Sequence, residues 1–240
     1  MRNSHDTPSL PVWRSIMFVP AVSNRFVESA FKVPADLLQI DLEDSVGPLQ
    51  KDEARKRAGS IADRFAAAGR DVSVRVNRPW RMLVRDLEAV VRKSVLAIAL
   101  PKVPDASFVQ SVAEVLAELE REQGMTIGHT RIITMVEDAE GVANMNEIAA
   151  AHTRVVGQII GAEDLAVSMR MAVDLYSVSV SNLLASRGDD SSIRIWDLSG
   201  NLSQPKLQIP LKVISDLLNI YPSANVAFRY DTYYFLYLFL

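Results

Sequence analysis

Short β-branched or apolar runs alternate with helix-forming segments through the first two-thirds of the chain, and this rhythm constrains the fold more than any other feature. The runs are Arg14–Val19, Leu37–Leu42, Val72–Val76, Val95–Leu100, Arg131–Val136 and Val156–Ile160. Lys51–Ala68 has helical spacing and is followed by Gly69, a residue that helix ends favour. Val109–Gln123 repeats Val109, Val112, Val115, Leu116 and Leu119 before Gly124, and Gly141–Ala151 forms a shorter third helical segment. Six strands alternating with helices, at roughly 20- to 35-residue spacing, predict βα units and a parallel sheet. An open doubly wound sheet and a closed barrel both fit. No G-x-G-x-x-G follows the first run and no G-x-x-x-x-G-K occurs, which removes the main support for a nucleotide-binding open sheet. The expectation is an α/β fold, a TIM-type (β/α)8 barrel that is incomplete or irregular after the sixth βα unit.

Composition narrows the function classes. The 240 residues hold 26 Lys and Arg against 29 Asp and Glu, a formal charge of −3. No basic surplus supports a nucleic-acid partner. There are no cysteines, which excludes disulfides, thiolate zinc sites and cysteine nucleophiles. No stretch approaches the roughly 18 apolar residues of a membrane-spanning helix, and residues 1–12 read as a polar arm. The expectation is a soluble, cytoplasmic protein with no membrane partner. Residues 13–170 form the barrel region carrying the site, and 171–240 form a divergent carboxyl-terminal segment.

Charged residues gather where the predicted strands end. The second runs into Asp41-Leu42-Glu43-Asp44, the third carries Arg75 and Asn77, and the fourth ends Pro101-Lys102. The fifth ends Glu137-Asp138 and the sixth Glu163-Asp164. In α/β barrels the catalytic residues sit at these carboxyl ends. Glu137 and Asp164 would close neighbouring strands, and two hard oxygen ligands without His or Cys suit Mg²⁺, which keeps waters and takes further ligands from its substrate. The fork of Arg75 suits a carboxylate or carbonyl oxygen. Helix N-caps also use carboxylates after strands, and Arg75 could equally pair with one of them; spacing leaves these readings open. His5, His129 and His152 are scattered and carry no chemistry. Met135, Met145, Met169 and Met171 read as core, Lys51–Arg57 as a solvated helix face, and Trp80-Arg81 as a surface loop more than the mouth of a site.

Six motifs in order carry a resemblance. Arg14-Ser-Ile-Met-Phe-Val-Pro20 with Arg25, then Asp41-Leu-Glu-Asp-Ser-Val46-Gly-Pro48 with Lys51, closely resemble the citrate lyase beta-subunit-like family of the HpcH/HpaI aldolase superfamily, which includes malyl-CoA and citramalyl-CoA lyases. Val74-Arg-Val-Asn77, Leu100-Pro-Lys-Val103, Glu137-x-Ala-Glu-Gly141 and Gly161-Ala-Glu-Asp-Leu165 continue it, over about Trp13 to Arg170. The resemblance implies a Mg²⁺-dependent TIM barrel, often trimeric, that makes or breaks carbon–carbon bonds of 3-hydroxy-acyl thioesters. Carried over by motif, Glu137 and Asp164 bind Mg²⁺ and Arg75 acts on the substrate's carboxylate or oxo group. Glu43 and Asp44 support the metal's waters and the substrate pocket, which Glu137 also lines. The implied partners are an acyl-CoA or oxo-acid substrate and further copies of the chain. Lys102 reads as a pocket or structural residue, because this chemistry needs no Schiff base.

Departures accompany the match. Ala21 stands where the family has Gly, and Asp138 where it commonly has Thr. After about Met171 no trace of the seventh and eighth βα units is legible. Ser186–Gly200, with Trp196-Asp197, resembles a single strand pair of a WD40 repeat; without a second copy it reads as a polar turn and a strand. Ser177–Leu184, Ile193–Leu198 or the aromatic tail Phe228–Leu240 is expected to fill the gap in the barrel imperfectly. A runner-up follows from that loss: a catalytically impaired homologue acting as a binding or assembly subunit.

Overall fold

A computed structural model of the chain describes residues 13–168 and, as backbone strands, 183–188, 192–197, 207–210, 225–227 and 236–239. All six expected strands are present: β1 (Ile16–Pro20), β2 (Leu37–Asp41), β3 (Asp71–Arg75), β4 (Ala97–Leu100), β5 (Arg131–Val136) and β6 (Val155–Ile160). They pair in sequence order and all in parallel. Helices α1 (Asn24–Ala30), α2 (Lys51–Ala67), α3 (Trp80–Val90), α4 (Ala106–Glu122), α5 (Ala139–Ala143), α6 (Met145–Ala149) and α7 (Ala162–Ser168) lie between and after them.

Alternation along each strand sorts the core into two layers. Leu38, Ile40, Val72, Val74, Ile98 and Ile132 pack with helix residues such as Ile61, Phe65, Leu87, Val112 and Leu116. Leu37, Ala97, Ala99, Ile133, Met135 and Ile159 form a separate cluster with Trp13 on the opposite face. Strands covered on both faces explain why the apolar runs are continuous rather than alternating.

Local chemistry sets the ends of the elements. Ser23, Asp105 and Asp138 accept from the backbone N–H groups of Phe26, Phe108 and Gly141, capping α1, α4 and α5. Gly69 and Gly124 take positive φ just beyond α2 and α4, as helix ends favour. Trp80-Arg81 opens α3 instead of a loop, and the Trp80 ring stands edge-on to Phe108 at 5.0 Å. The 141–151 segment breaks at Asn144 into α5 and α6. Lys51–Arg57 is only half solvated: Arg55 reaches the buried Asp86 at 2.7 Å, and Arg57 bonds Val22 O and Asn24.

Beyond α7 the sheet continues differently. β11 (Leu236–Phe239) pairs with β6 in antiparallel register, Leu236 opposite Ile160, and β10 (Asn225–Ala227) pairs with β11. Part of the expected tail therefore stands beside β6, reversed from the barrel direction. The Ile193–Leu198 strand appears as β8 (Ser192–Asp197), between β7 (Leu183–Gly188) and β9 (Leu207–Pro210) in a separate antiparallel sheet. Most of Ser177–Leu184, like residues 1–12, Met169 and Met171, lies outside the described residues. Among the described residues no pairing joins β10 to β1, and no helix is long and apolar enough to cross a membrane.

A buried ion pair locks the amino-terminal ends of β5 and β6. Arg154 grips Glu120 through two bonds of 2.8 and 2.7 Å, and Glu120 also accepts from the N–H groups of Gly128 and Thr130. Replacing Arg154 by Met leaves the Glu120 charge buried without its cation, which typically costs about 3–5 kcal/mol. Urea unfolding of Arg154→Met is expected to show a loss of that size; a change below about 1 kcal/mol would contradict the assignment.

Candidate functional site

The same alternation that builds the inner cluster places Gln39 and Asp41 of β2, and Ser73 and Arg75 of β3, on one face. Asp41 lies opposite Arg75 in the register. Arg75 Nε and Nη2 donate to the two Asp41 oxygens, each at 2.7 Å, and the guanidinium stands 5.0 Å from the Phe18 ring centre. Asp41 also accepts from the N–H groups of Glu43 and Ser45, and Lys51 Nζ donates to the carbonyls of Leu42 and Glu43. The loop after β2 is thereby held from both sides, and it presents Glu43 and Asp44 to Arg75. Arg75 Nη1 lies 3.0 Å from Glu43 Oε2 and 3.5 Å from Asp44 Oδ2.

Lys102 closes the other side. It follows β4 with φ of 51°, a left-handed conformation uncommon outside glycine. Its N–H donates to Glu137 Oε2 at 2.9 Å, and its carbonyl accepts from Arg78. Its ammonium lies 2.8 Å from Glu43 Oε1, 2.9 Å from Asp164 Oδ2 and 3.9 Å from Asp44. Glu137, buried at the end of β5, packs directly on Gly161; a Cβ there would collide with the Glu137 side chain. Asp164, in α7, is the most open of the Lys102 partners after Asp44.

The charges are unevenly balanced. Among the described residues, the five carboxylates Asp41, Glu43, Asp44, Glu137 and Asp164 share three cations: Arg75 and Lys102 by contact, and Lys51 through its charge beside the loop. Burial alone would raise the Asp41 carboxyl, but Arg75 and the loop N–H groups hold it below the usual range. Burial pushes Glu43 up against the pull of Arg75 and Lys102. Burial, reinforced by the Glu43 charge, pushes Glu137 up to about 7. Arg75 and Lys102 are also pushed up: burial opposes their charge, but the surrounding carboxylates outweigh it.

A divalent cation fits this arrangement. Glu43 Oε2 is buried with no contact beyond its 3.0 Å ion pair with Arg75, and the carboxylates outnumber the cations. Among the described residues no three His, Asp or Glu side chains converge as a complete cage, yet Mg²⁺ needs only one or two carboxylates with waters and substrate.

The structure thus brings Arg75, Glu43, Asp44, Glu137 and Asp164 to one rim. Arg75 does pair with a strand-end carboxylate, and Asp138 does cap a helix, so both alternatives left open by spacing occur beside the cluster. Two residues were missed as participants: Asp41 as the Arg75 partner and Lys51 as the brace of the loop; Lys102, expected as a pocket or structural residue, is the cation joining Glu43 to Asp164. Asp41 carried a signal, since it ends β2 on the inward phase of the strand.

A parallel α/β sheet with a carboxylate-rich rim at the carboxyl ends of its strands defines the class. The family model described as HpcH/HpaI aldolase/citrate lyase matches residues 14–180, and the chain belongs to that family. It is 35% identical over 160 residues to the citrate lyase subunit beta of Escherichia coli K12, covering 65% of this chain and 52% of that protein. It is 32% identical over 157 residues to the L-malyl-CoA/beta-methylmalyl-CoA lyase of Rhodobacter capsulatus, covering 64% and 48%. The chain spans about half the length of these curated relatives. Among solved structures it resembles the CitE protein of Mycobacterium tuberculosis in complex with magnesium and acetoacetate, at TM-score 0.51 and 29% identity, covering 67% of this chain and 59% of that one.

The raised Glu137 carboxyl has a stability consequence with a definite sign. The folded state holds its proton to about pH 7, against an ordinary value of 4.5, so folding loses stability as pH rises through that window and no further above it. In EDTA, the wild type is expected to lose about 3 kcal/mol relative to Glu137→Gln between pH 4.5 and 7.5. Parallel pH profiles of the two proteins in denaturant unfolding would refute it.

Proposed function

We propose that this chain is a Mg²⁺-dependent carbon–carbon lyase acting on a 3-hydroxy-acyl thioester of the citryl, malyl or citramalyl type. The observation that carries the reading is the gathering of Arg75, Glu43, Glu137 and Asp164 on one carboxylate-rich rim. The citrate lyase and malyl-CoA lyase relatives support it, as does the similarity to a structure holding magnesium and acetoacetate.

Glu137 and Asp164 would hold the Mg²⁺, with Glu43 and Asp44 supporting its waters and the substrate. Bound there, the ion supplies Lewis-acid polarisation of the oxo-acid oxygen. The remaining work falls to the chain. Cleavage removes the hydroxyl proton, leaves the carbonyl on the oxo-acid fragment, and passes the carbon–carbon electron pair to the thioester fragment as an enolate, which then takes a proton. Arg75 Nη1, the nitrogen not engaged by Asp41, offsets the developing negative charge; because Asp41 fixes the guanidinium beforehand, little reorganisation accompanies the reaction. Glu43, whose carboxyl burial pushes up against the pull of Arg75 and Lys102, is placed to accept the hydroxyl proton. The Lys102 ammonium is tied to carboxylates and takes no covalent part. The site resides within residues 13–170, and the same reading extends to a cytoplasmic homo-oligomer, trimeric by resemblance, working on a small-molecule substrate.

Incubation with Mg²⁺ and malyl-CoA or citramalyl-CoA is expected to yield acetyl-CoA with glyoxylate or pyruvate. A folded sample that binds Mg²⁺ and shows no turnover would favour the binding-subunit alternative. Glu137→Gln and Asp164→Asn are each expected to weaken Mg²⁺ binding at least about tenfold in calorimetric titration, the scale on which metal-site residues act. Unchanged affinity in both would sink the ligand assignment.

A further inference from the structure

We infer that the Lys102 ammonium is a tethered counter-cation that occupies the carboxylate cluster of the metal-free chain, and that a divalent cation takes up Asp164 by displacing it. The inference deepens the proposed metal site and rests on it.

Three observations converge. The ammonium bridges Glu43 and Asp164 at 2.8 and 2.9 Å with Asp44 at 3.9 Å, so it neutralises the oxygens that a divalent ion would use. Its backbone is anchored independently: the N–H is held by Glu137, the carbonyl by Arg78, and φ of 51° is kept by these bonds. The side chain can therefore leave Asp164 while the main chain stays in place. The tether is also partial, because the Lys102 and Asp164 side chains are 36% and 44% exposed while Glu43 is buried. The bond to Asp164 faces water and is the weaker of the two, so an incoming ion meets its least resistance there.

A lysine in that position has two effects. It keeps a surplus of buried carboxylates from repelling one another when no metal is bound, and it raises the concentration of metal needed for occupancy. Both follow from competition between one fixed cation and one free cation for a shared anion.

The test uses the full chain. Free Mn²⁺ is counted by electron paramagnetic resonance during titration of the wild type and Lys102→Met, with folding of the variant checked by thermal melting. Lys102→Met is expected to bind Mn²⁺ about tenfold tighter, within the ordinary range of coupling between sites. In the wild type, acetylation of Lys102 by an N-hydroxysuccinimide ester, followed by mass spectrometry, is expected to accelerate several-fold when Mg²⁺ is added. Unchanged or weaker Mn²⁺ affinity in a folded Lys102→Met, with the wild type still binding, overturns the displacement and leaves the metal site standing. An acetylation rate indifferent to Mg²⁺ in a wild type that binds it does the same. Absence of ion binding in both proteins overturns the metal site and this inference together.

Discussion

The pairing of Arg75 with Asp41 is the interaction on which the rest of the site depends. Both residues are buried between neighbouring strands, where an ion pair survives only if its remaining hydrogen-bonding capacity is met. Asp41 meets that condition by accepting four bonds, two from Arg75 and two from its own following loop. Arg75 meets it with Glu43, Asp44 and the face of Phe18. Such a pair contributes little net stability compared with apolar packing, but it admits only one arrangement. β1, β2, β3 and the Asp41–Val46 loop are thereby fixed relative to one another before any ligand arrives.

The two ends of the sheet use buried charge differently. At the amino-terminal end, Glu120 and Arg154 satisfy each other and the surrounding N–H groups and carbonyl, and Trp13 donates to Asp71. At the carboxyl end the carboxylates exceed the cations, Glu43 is buried between Arg75 and Lys102, and Lys102 holds a left-handed backbone. Unbalanced charge and backbone strain are features that folding alone does not favour, and they collect where function is expected. Small residues make room for them: Ala97 and Ala99 line β4 on the inner face, and Gly161 leaves space for Glu137.

Much of this was legible from residue order because each buried strand is a dense apolar run ending in charge. The six strands and the rim residues Arg75, Glu137 and Asp164 follow from that pattern. The omissions have physical causes. α1 is seven residues long and buries only Val27 and Ala30, too few for a period to show. α3 opens on Pro79 without a side-chain cap, and its apolar stripe of Leu83, Leu87 and Val90 is interrupted by the buried Asp86, which receives Arg55 and Asn77. Lys51 looks like a surface lysine in sequence, and Lys102, though read as a pocket or structural residue, shows none of its partners there. Only the fold reveals that one braces a loop through its carbonyls and the other spans two strand ends.

Direction of chain decides what the carboxyl-terminal strands can add. In a parallel barrel every strand delivers its following loop to the catalytic rim. β11 runs against β6, with Leu236 beside Ile160 and Phe239 beside Gly157, so it enters the sheet at the rim and finishes toward the opposite end. It satisfies the edge of β6, which would otherwise offer unpaired N–H and C=O groups. Among the described residues, the charged groups of the rim come from the ends of β2 to β5 and from α7 after β6. Cover against water at this rim sets the strength of every charge–charge contact there, because the same pair attracts far more strongly in a dry site than in a wet one.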